Sequence, residues 1–121
     1  MDWRPLSEAD IWQLIIESEN RMTIPQSKLW EVMKTDPVKW QEKTYGKMGD
    51  GFWVVALIGN LVVYYNDIEN GFNISQYQQF GVISDYWCNQ DELEWSVQNI
   101  LDAILNGGNY FPHASPPKPI N

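Results

Sequence analysis

The chain has 121 residues, 44% of them hydrophobic and 20% charged, with a formal net charge of −8. That is enough chain for one buried core and too little for two ordinary domains, and it lies far from the low-apolar, high-charge profile of a disordered polypeptide. The acid excess disfavours nucleic acid as a partner, since phosphate chains are held by Lys and Arg; no apolar run approaches the roughly 18 residues of a membrane span, and a lone cysteine, Cys88, rules out an internal disulfide.

The first expected element is a helix over residues 7–22, opened by Ser7 and Asp10 in capping-box spacing. Ile11, Leu14, Ile15 and Ser18 fall on one stripe, which Trp12 and Ile16 widen. A second, shorter helix follows a break at Pro25, with Leu29, Trp30 and Met33 inward and Pro37 ending it. From Val38 the period changes to two: "VKWQEKTYG" alternates Val38, Trp40, Glu42 and Thr44 against Lys39, Gln41, Lys43 and Tyr45, the pattern of an edge strand with one half-polar face. Gly46, Gly49 and Gly51 then make a flexible connection.

The segment "GFWVVALIGNLVVYYN" carries two β-rich runs around Gly59-Asn60, a two-residue hairpin turn. Both runs are apolar at nearly every position, so both faces of the sheet require cover. After the turn "IENG", "GFNISQY" reads as a fourth strand and "FGVIS" as a candidate fifth. The last helix has Asn89 as its expected N-cap, a stripe of Leu93, Val97, Ile100, Leu101 and Ile104, and Gly107-Gly108 as its stop. Trp95 lies about 200° round from Leu93 at ~100° per residue and points outward. The expected fold is α+β: an N-terminal helix pair, an antiparallel meander of four or five strands, and a C-terminal helix packed on the sheet. Residues 1–109 form the expected domain and 110–121 an extended proline-rich tail.

Charge is unevenly distributed. The first 47 residues carry eight acids against seven bases, whereas from Met48 to Pro117 there is no Lys or Arg while Asp50, Asp67, Glu69, Asp85, Asp91, Glu92, Glu94 and Asp102 fall in that span. Ordinary solubility accounts for acidity in general. A basic protein is the natural complement of a concentrated acidic stretch.

The stretch "YYNDIENGFNISQY" fails as a calcium loop: with Gly71 at position 6, position 3 is Ile68 and position 12 is Tyr77. Cys88 and His113, the only soft metal ligands besides methionine, lie far apart in sequence, and Cys88 reads more simply as a small buried apolar residue. "GKMGDGF" lacks the ending and setting of a phosphate loop. The expectation is accordingly no metal, no cofactor and no catalytic set, although any two of Asp67, Glu69, Asp85 and Asp91 could meet as an acid/base pair. Seven Trp and six Tyr remain. Trp30, Trp40, Trp53 and Trp87 are expected in the core. The aromatic residues Tyr65, Phe72, Tyr77, Tyr86 and Trp95, together with Asp67, Glu69, Asp85, Glu92 and Glu94, are the expected partner-binding surface, rings supplying anchor energy inside a negative field.

Over residues 52–97, the motifs "VVYYNDIENGFN" and "WCNQDEL" resemble small bacterial immunity proteins encoded beside secreted polymorphic or contact-dependent toxins. The resemblance implies a small acidic α+β protein that binds a cognate toxin domain, often a basic nuclease, and blocks its active site or substrate route; it assigns no residue roles. The expected function is that of a non-enzymatic toxin inhibitor in the cytoplasm, where the absence of a signal-like start also points. Two alternatives stand beside it: a small carboxylate-based or metal-assisted hydrolase, and a homodimeric adaptor whose second sheet face is covered by its own copy. Alone, the chain is expected as a monomer or homodimer, with no membrane contact.

Overall fold

The computed structural model describes residues 4–107, so the expected tail at 110–121 lies outside the described residues. The order is α1 (Glu8–Arg21), α2 (Ile24–Met33), β1 (Lys34–Trp40), a 3₁₀ turn (Gly46–Gly49), β2 (Phe52–Ile58), β3 (Leu61–Asn66), β4 (Gly71–Gln76) and α3 (Leu93–Leu105). The strands form one antiparallel meander in the order β1-β2-β3-β4. The fold is α+β, with helices from both ends of the chain on the sheet. No helix among the described residues is long and apolar enough to cross a membrane.

Local chemistry starts the first two helices. Ser7 Oγ accepts the Asp10 amide at 3.1 Å, with Glu8 and Asp10 in the positive first turn and Arg21 in the last. Thr23 and Gln26 make a reciprocal capping box, and Pro25 sits in the first turn of α2, where its missing N–H removes no intrahelical bond. Pro25 therefore opens α2 instead of separating it from α1. Nor does Pro37 end α2: the helix stops at Met33, Lys34 is extended, and the chain passes directly into β1. Pro37 lies inside β1, an edge strand, next to a register shift between Lys34 and Val38. An edge position tolerates proline, because the absent donor would have faced outward, and it blunts pairing with another chain.

β1 accordingly begins four residues before the expected Val38 and ends at Trp40. Glu42 is not on a strand face. It is buried, and its Oε1 accepts amides from Thr44 (3.0 Å), Tyr45 and Gly46 (2.9 Å), closing the turn that follows β1. In α1, Ile11, Ile15 and Ser18 are buried, but Trp12 and Ile16 are 37% and 48% exposed and do not widen the core stripe. The β2–β3 hairpin turns at Gly59-Asn60 as expected, with Gly59 at φ 58°. In α3, Leu93, Val97 and Ile100 face the core while Ile104, at the last turn, is exposed.

The two faces of the sheet are closed differently. The helices cover one, over Val55, Val63, Tyr65, Phe72 and Ile74. Over the other, Trp40, Phe52, Val54, Val62 and Tyr64 lie under residues 77–92, which contribute Tyr77, Ile83 and Tyr86. That segment is an irregular strap and not a fifth strand: Gly81 turns it at φ 93°, and it meets the rest of the chain through two isolated bridges, Val82 to Gln41 and Asp91 to Phe72. Polar side chains of β3 and β4 hold its backbone. Tyr64 Oη accepts the Trp87 amide (2.7 Å), Asn66 Nδ2 donates to the Trp87 carbonyl (3.0 Å), Ser75 Oγ accepts the Asp85 amide (3.1 Å), and Asn73 brackets Asn89, accepting its amide (2.9 Å) and donating to its carbonyl (3.1 Å). Burial raises the Tyr64 pKa far above the tyrosine range, so it stays a hydroxyl.

The same clasp moves the start of α3. With Asn89 engaged by Asn73 and the Asp91 carbonyl accepting the Phe72 amide at 2.8 Å, residues 89–91 are tied beside β4. Asn89 is therefore not the N-cap; Glu92 is, without a side-chain cap bond. Trp30, Trp40 and Trp87 are buried as expected, Trp53 is half-buried, and so is Cys88.

Two substitutions test the strap. Tyr64→Phe strands the Trp87 amide and should cost about 1–3 kcal/mol of unfolding free energy; an unchanged urea midpoint would show that the hydroxyl holds nothing. Gly71→Ala should be at least as damaging, because its Cβ would run into the Asn89 carbonyl and Gln90 Cα, both backbone.

Candidate functional site

On α1, Leu14, Glu17, Ser18 and Arg21 recur at three- and four-residue spacing, so they share one face near the helix end. That face looks onto the far end of the β3–β4 pair. There Tyr65 and Phe72 are cross-strand partners with ring centroids 4.8 Å apart, edge to face. The turn between the strands is set by Asn66, whose Oδ1 accepts the Ile68 (3.0 Å) and Glu69 (3.2 Å) amides, and by Asn70 at φ 61°. The strap returns to this end and supplies Gln90, Asp91 and Glu92. Together these groups enclose an open cleft of about 290 Å³, with Leu14, Tyr65 and Phe72 as its apolar part and Glu17, Asp91, Glu92 and Arg21 as its charged part.

Arg21 organises the charges. Its Nε lies 2.6 Å and its Nη2 3.3 Å from the two carboxylate oxygens of Glu94, a two-point pair, and Nη2 also meets Glu92 Oε2 and Ser18 Oγ (3.1 Å). The two acids differ in setting. Glu94 is 7% exposed, whereas the Glu92 side chain is more than half exposed. Burial acts on Glu94 most strongly and pushes its pKa up, but the Arg21 hydrogen bond, those from its own amide and Ser18, and the Arg21 charge together hold it below the ordinary value. The hydrogen bond to Glu94, and the charges of Glu94, Glu92 and Glu17, raise the Arg21 pKa.

The ten residues expected as a partner surface do not form one face. Tyr65 and Phe72 belong to the core and offer only the cleft floor; Glu92 is on its rim and Glu94 lies behind it, under Arg21. Asp67, also 7% exposed, points elsewhere: Oδ2 accepts the Leu6 amide at 2.8 Å, while Trp53 Nε1 donates to the Leu6 carbonyl at 2.7 Å and Lys39 Nζ sits 4.9 Å from the Trp53 ring centre. Asp67 thus fastens the segment before α1. Burial raises its pKa against the opposing Leu6 hydrogen bond and Lys39 charge. Glu69 is half-buried within electrostatic reach of Tyr86, whose ring stacks 4.2 Å from Tyr45. Tyr77 donates to the Gly59 carbonyl at 3.0 Å at the opposite sheet end, and Asp85 is exposed on the strap. Trp95 is 57% exposed in the first turn of α3.

Arg21 and Glu17 were not among the expected site residues, and Asp91 was expected only as one of four candidate acid/base carboxylates, not as part of the partner surface. The Glu17-to-Arg21 spacing of four was a local hint; the Arg21–Glu94 pair, 73 residues apart in sequence, had no local signal. Among the described residues no group of three or more His, Cys, Asp or Glu is placed to hold a metal ion. A second concavity, about 180 Å³, lies between Trp12, Glu19, Trp30 and Asp36 and includes none of the ten. No known protein family, curated protein or solved structure matches this chain.

Two of the buried acids, Glu94 and Asp67, should titrate with opposite sign. Glu94 has a depressed folded pKa, so the stability lost in Glu94→Gln should be full above its ordinary value of 4.5 and should vanish as pH falls through the folded pKa. Asp67 has a raised one, so wild type should lose stability relative to Asp67→Asn as pH rises from 3.8 through the folded pKa. Thermal melts at stepped pH read both; parallel profiles for wild type and variant would remove the assignment.

Proposed function

We propose that this chain is a non-enzymatic inhibitor, an immunity-type protein of the cytoplasm, that binds and neutralises a cognate basic toxin domain, a nuclease being one toxin of suitable charge. The observation that carries the reading is the cleft, where three rim carboxylates surround an aromatic floor with one guanidinium already engaged. Its volume of about 290 Å³ falls at the low end of small-molecule pockets, which run from ~300 to ~1,000 Å³. It suits a protruding side chain better than a whole metabolite. Excess negative charge at such a rim steers and orients a cationic partner, and exposed Trp95, three residues beyond Glu92, is an anchor of the kind that dominates interfaces. The resemblance of "VVYYNDIENGFN" and "WCNQDEL" to immunity proteins supports the same reading.

For the hydrolase reading, Asp91 is the one of its four expected carboxylates, Asp67, Glu69, Asp85 and Asp91, that lines this cleft, beside Glu17 and Glu92. A divalent ion that raises the melting temperature would favour it, since a ligand of the folded state stabilises by mass action. The adaptor reading rested on an uncovered second sheet face, and that face is covered by the chain's own strap.

The test is co-purification with the product of the neighbouring reading frame, followed by association kinetics. Asp91→Asn with Glu92→Gln should slow association and flatten its salt dependence while the melting temperature is kept. Trp95→Ala should cost about 2 kcal/mol of binding. Capture of no basic polypeptide, or kinetics unchanged in both variants, would sink the proposal.

A further inference from the structure

Arg21 makes two ion pairs of unequal kind. The one with Glu94 is two-pronged and sheltered: Glu94 is among the buried residues, and Ser18, also buried, joins the same guanidinium. The one with Glu92 is single and open, with the Glu92 side chain 58% exposed at the cleft mouth. An exposed single pair contributes little and exchanges readily, whereas removing the partner of a buried acid is costly. Glu17 and Asp91 line the same opening, so its carboxylates outnumber the one cation. The free protein thus neutralises part of its own cleft.

From this asymmetry we infer that the cleft is a socket for one arginine side chain of the partner, and that Glu92 is its exchangeable carboxylate, parked on Arg21 in the free protein and turned to the guest guanidinium in the complex while Arg21 stays with Glu94. The apolar part of the socket, Leu14 with the Tyr65 and Phe72 rings, matches the aliphatic stem of the guest. The flat two-pronged head of arginine suits carboxylates on two sides, Glu92 and Glu17, better than the point charge of lysine. This inference rests on reading the cleft as a contact for a basic polypeptide.

The probe is a capped di-arginine peptide, titrated into the full chain and followed by amide NMR shifts at the cleft. Wild type should bind it more tightly than a capped di-lysine peptide. Glu92→Gln should weaken binding about fivefold, while Asp36→Asn, which removes the same charge from an exposed site on β1, should leave it within experimental error. Arg21→Lys, which retains a cation for Glu94 but cannot fork to Glu92 as well, should tighten binding about threefold. Equal effects of Glu92→Gln and Asp36→Asn, or shifts spread away from the cleft, would overturn the inference and leave only general charge attraction. If Arg21→Lys melts early, the Glu92 and Asp36 comparison decides alone. Peptide binding at the cleft without capture of any basic polypeptide would preserve the socket and remove the inhibitor reading; capture that survives Glu92→Gln unchanged would do the reverse.

Discussion

Four polar side chains on the inner side of β3 and β4, Tyr64, Asn66, Asn73 and Ser75, hold the backbone of the strap against the sheet, and much of the remaining structure depends on them. A sheet with two apolar faces needs two covers. Helices supply one, because their amides are satisfied internally. An irregular segment can supply the other only if its amides and carbonyls find partners, since each buried and unpaired group costs about 1–3 kcal/mol. Strand side chains fill that need, so residues that would weaken an ordinary strand are here what allows a strap in place of a third layer.

The strap in turn places the cleft. Its end is bracketed by Asn73 and bonded to Phe72, with Gly71 bare so that residues 89 and 90 can approach the strand. This delivers Asp91 and Glu92 opposite Glu17 and Arg21, and it delays α3 until Leu93, so that Glu94 falls in the first turn facing the end of α1. The Arg21–Glu94 pair then ties the first and last helices together beside the opening. A stability device and a charged rim thereby share one residue.

The acids of the cation-free span have divided roles. Asp67 and Glu94 are inward and make structural hydrogen bonds, Asp91 and Glu92 edge the cleft, and Glu69 and Asp85 accompany the strap. Net charge still gives the molecule a negative field. The proposed contact narrows to the cleft at the end of the sheet where α1, the β3–β4 turn and the strap meet.

The helices, the Gly59-Asn60 hairpin, the outward setting of Trp95 and the need for cover on both faces were all readable from the chain, because capping, turn chemistry and apolar period act within a few residues. Pro37 at an edge, Asn89 as a clasp, Glu42 as the closure of a turn and the strap itself were not. Each has a local signature that admits two uses, and the choice depends on which distant group needs a hydrogen-bond partner. Acidity was likewise plain in the sequence, but which carboxylates stay at the surface was settled only by folding, since burial of Asp67 and Glu94 requires donors from Leu6 and Arg21, far away along the chain.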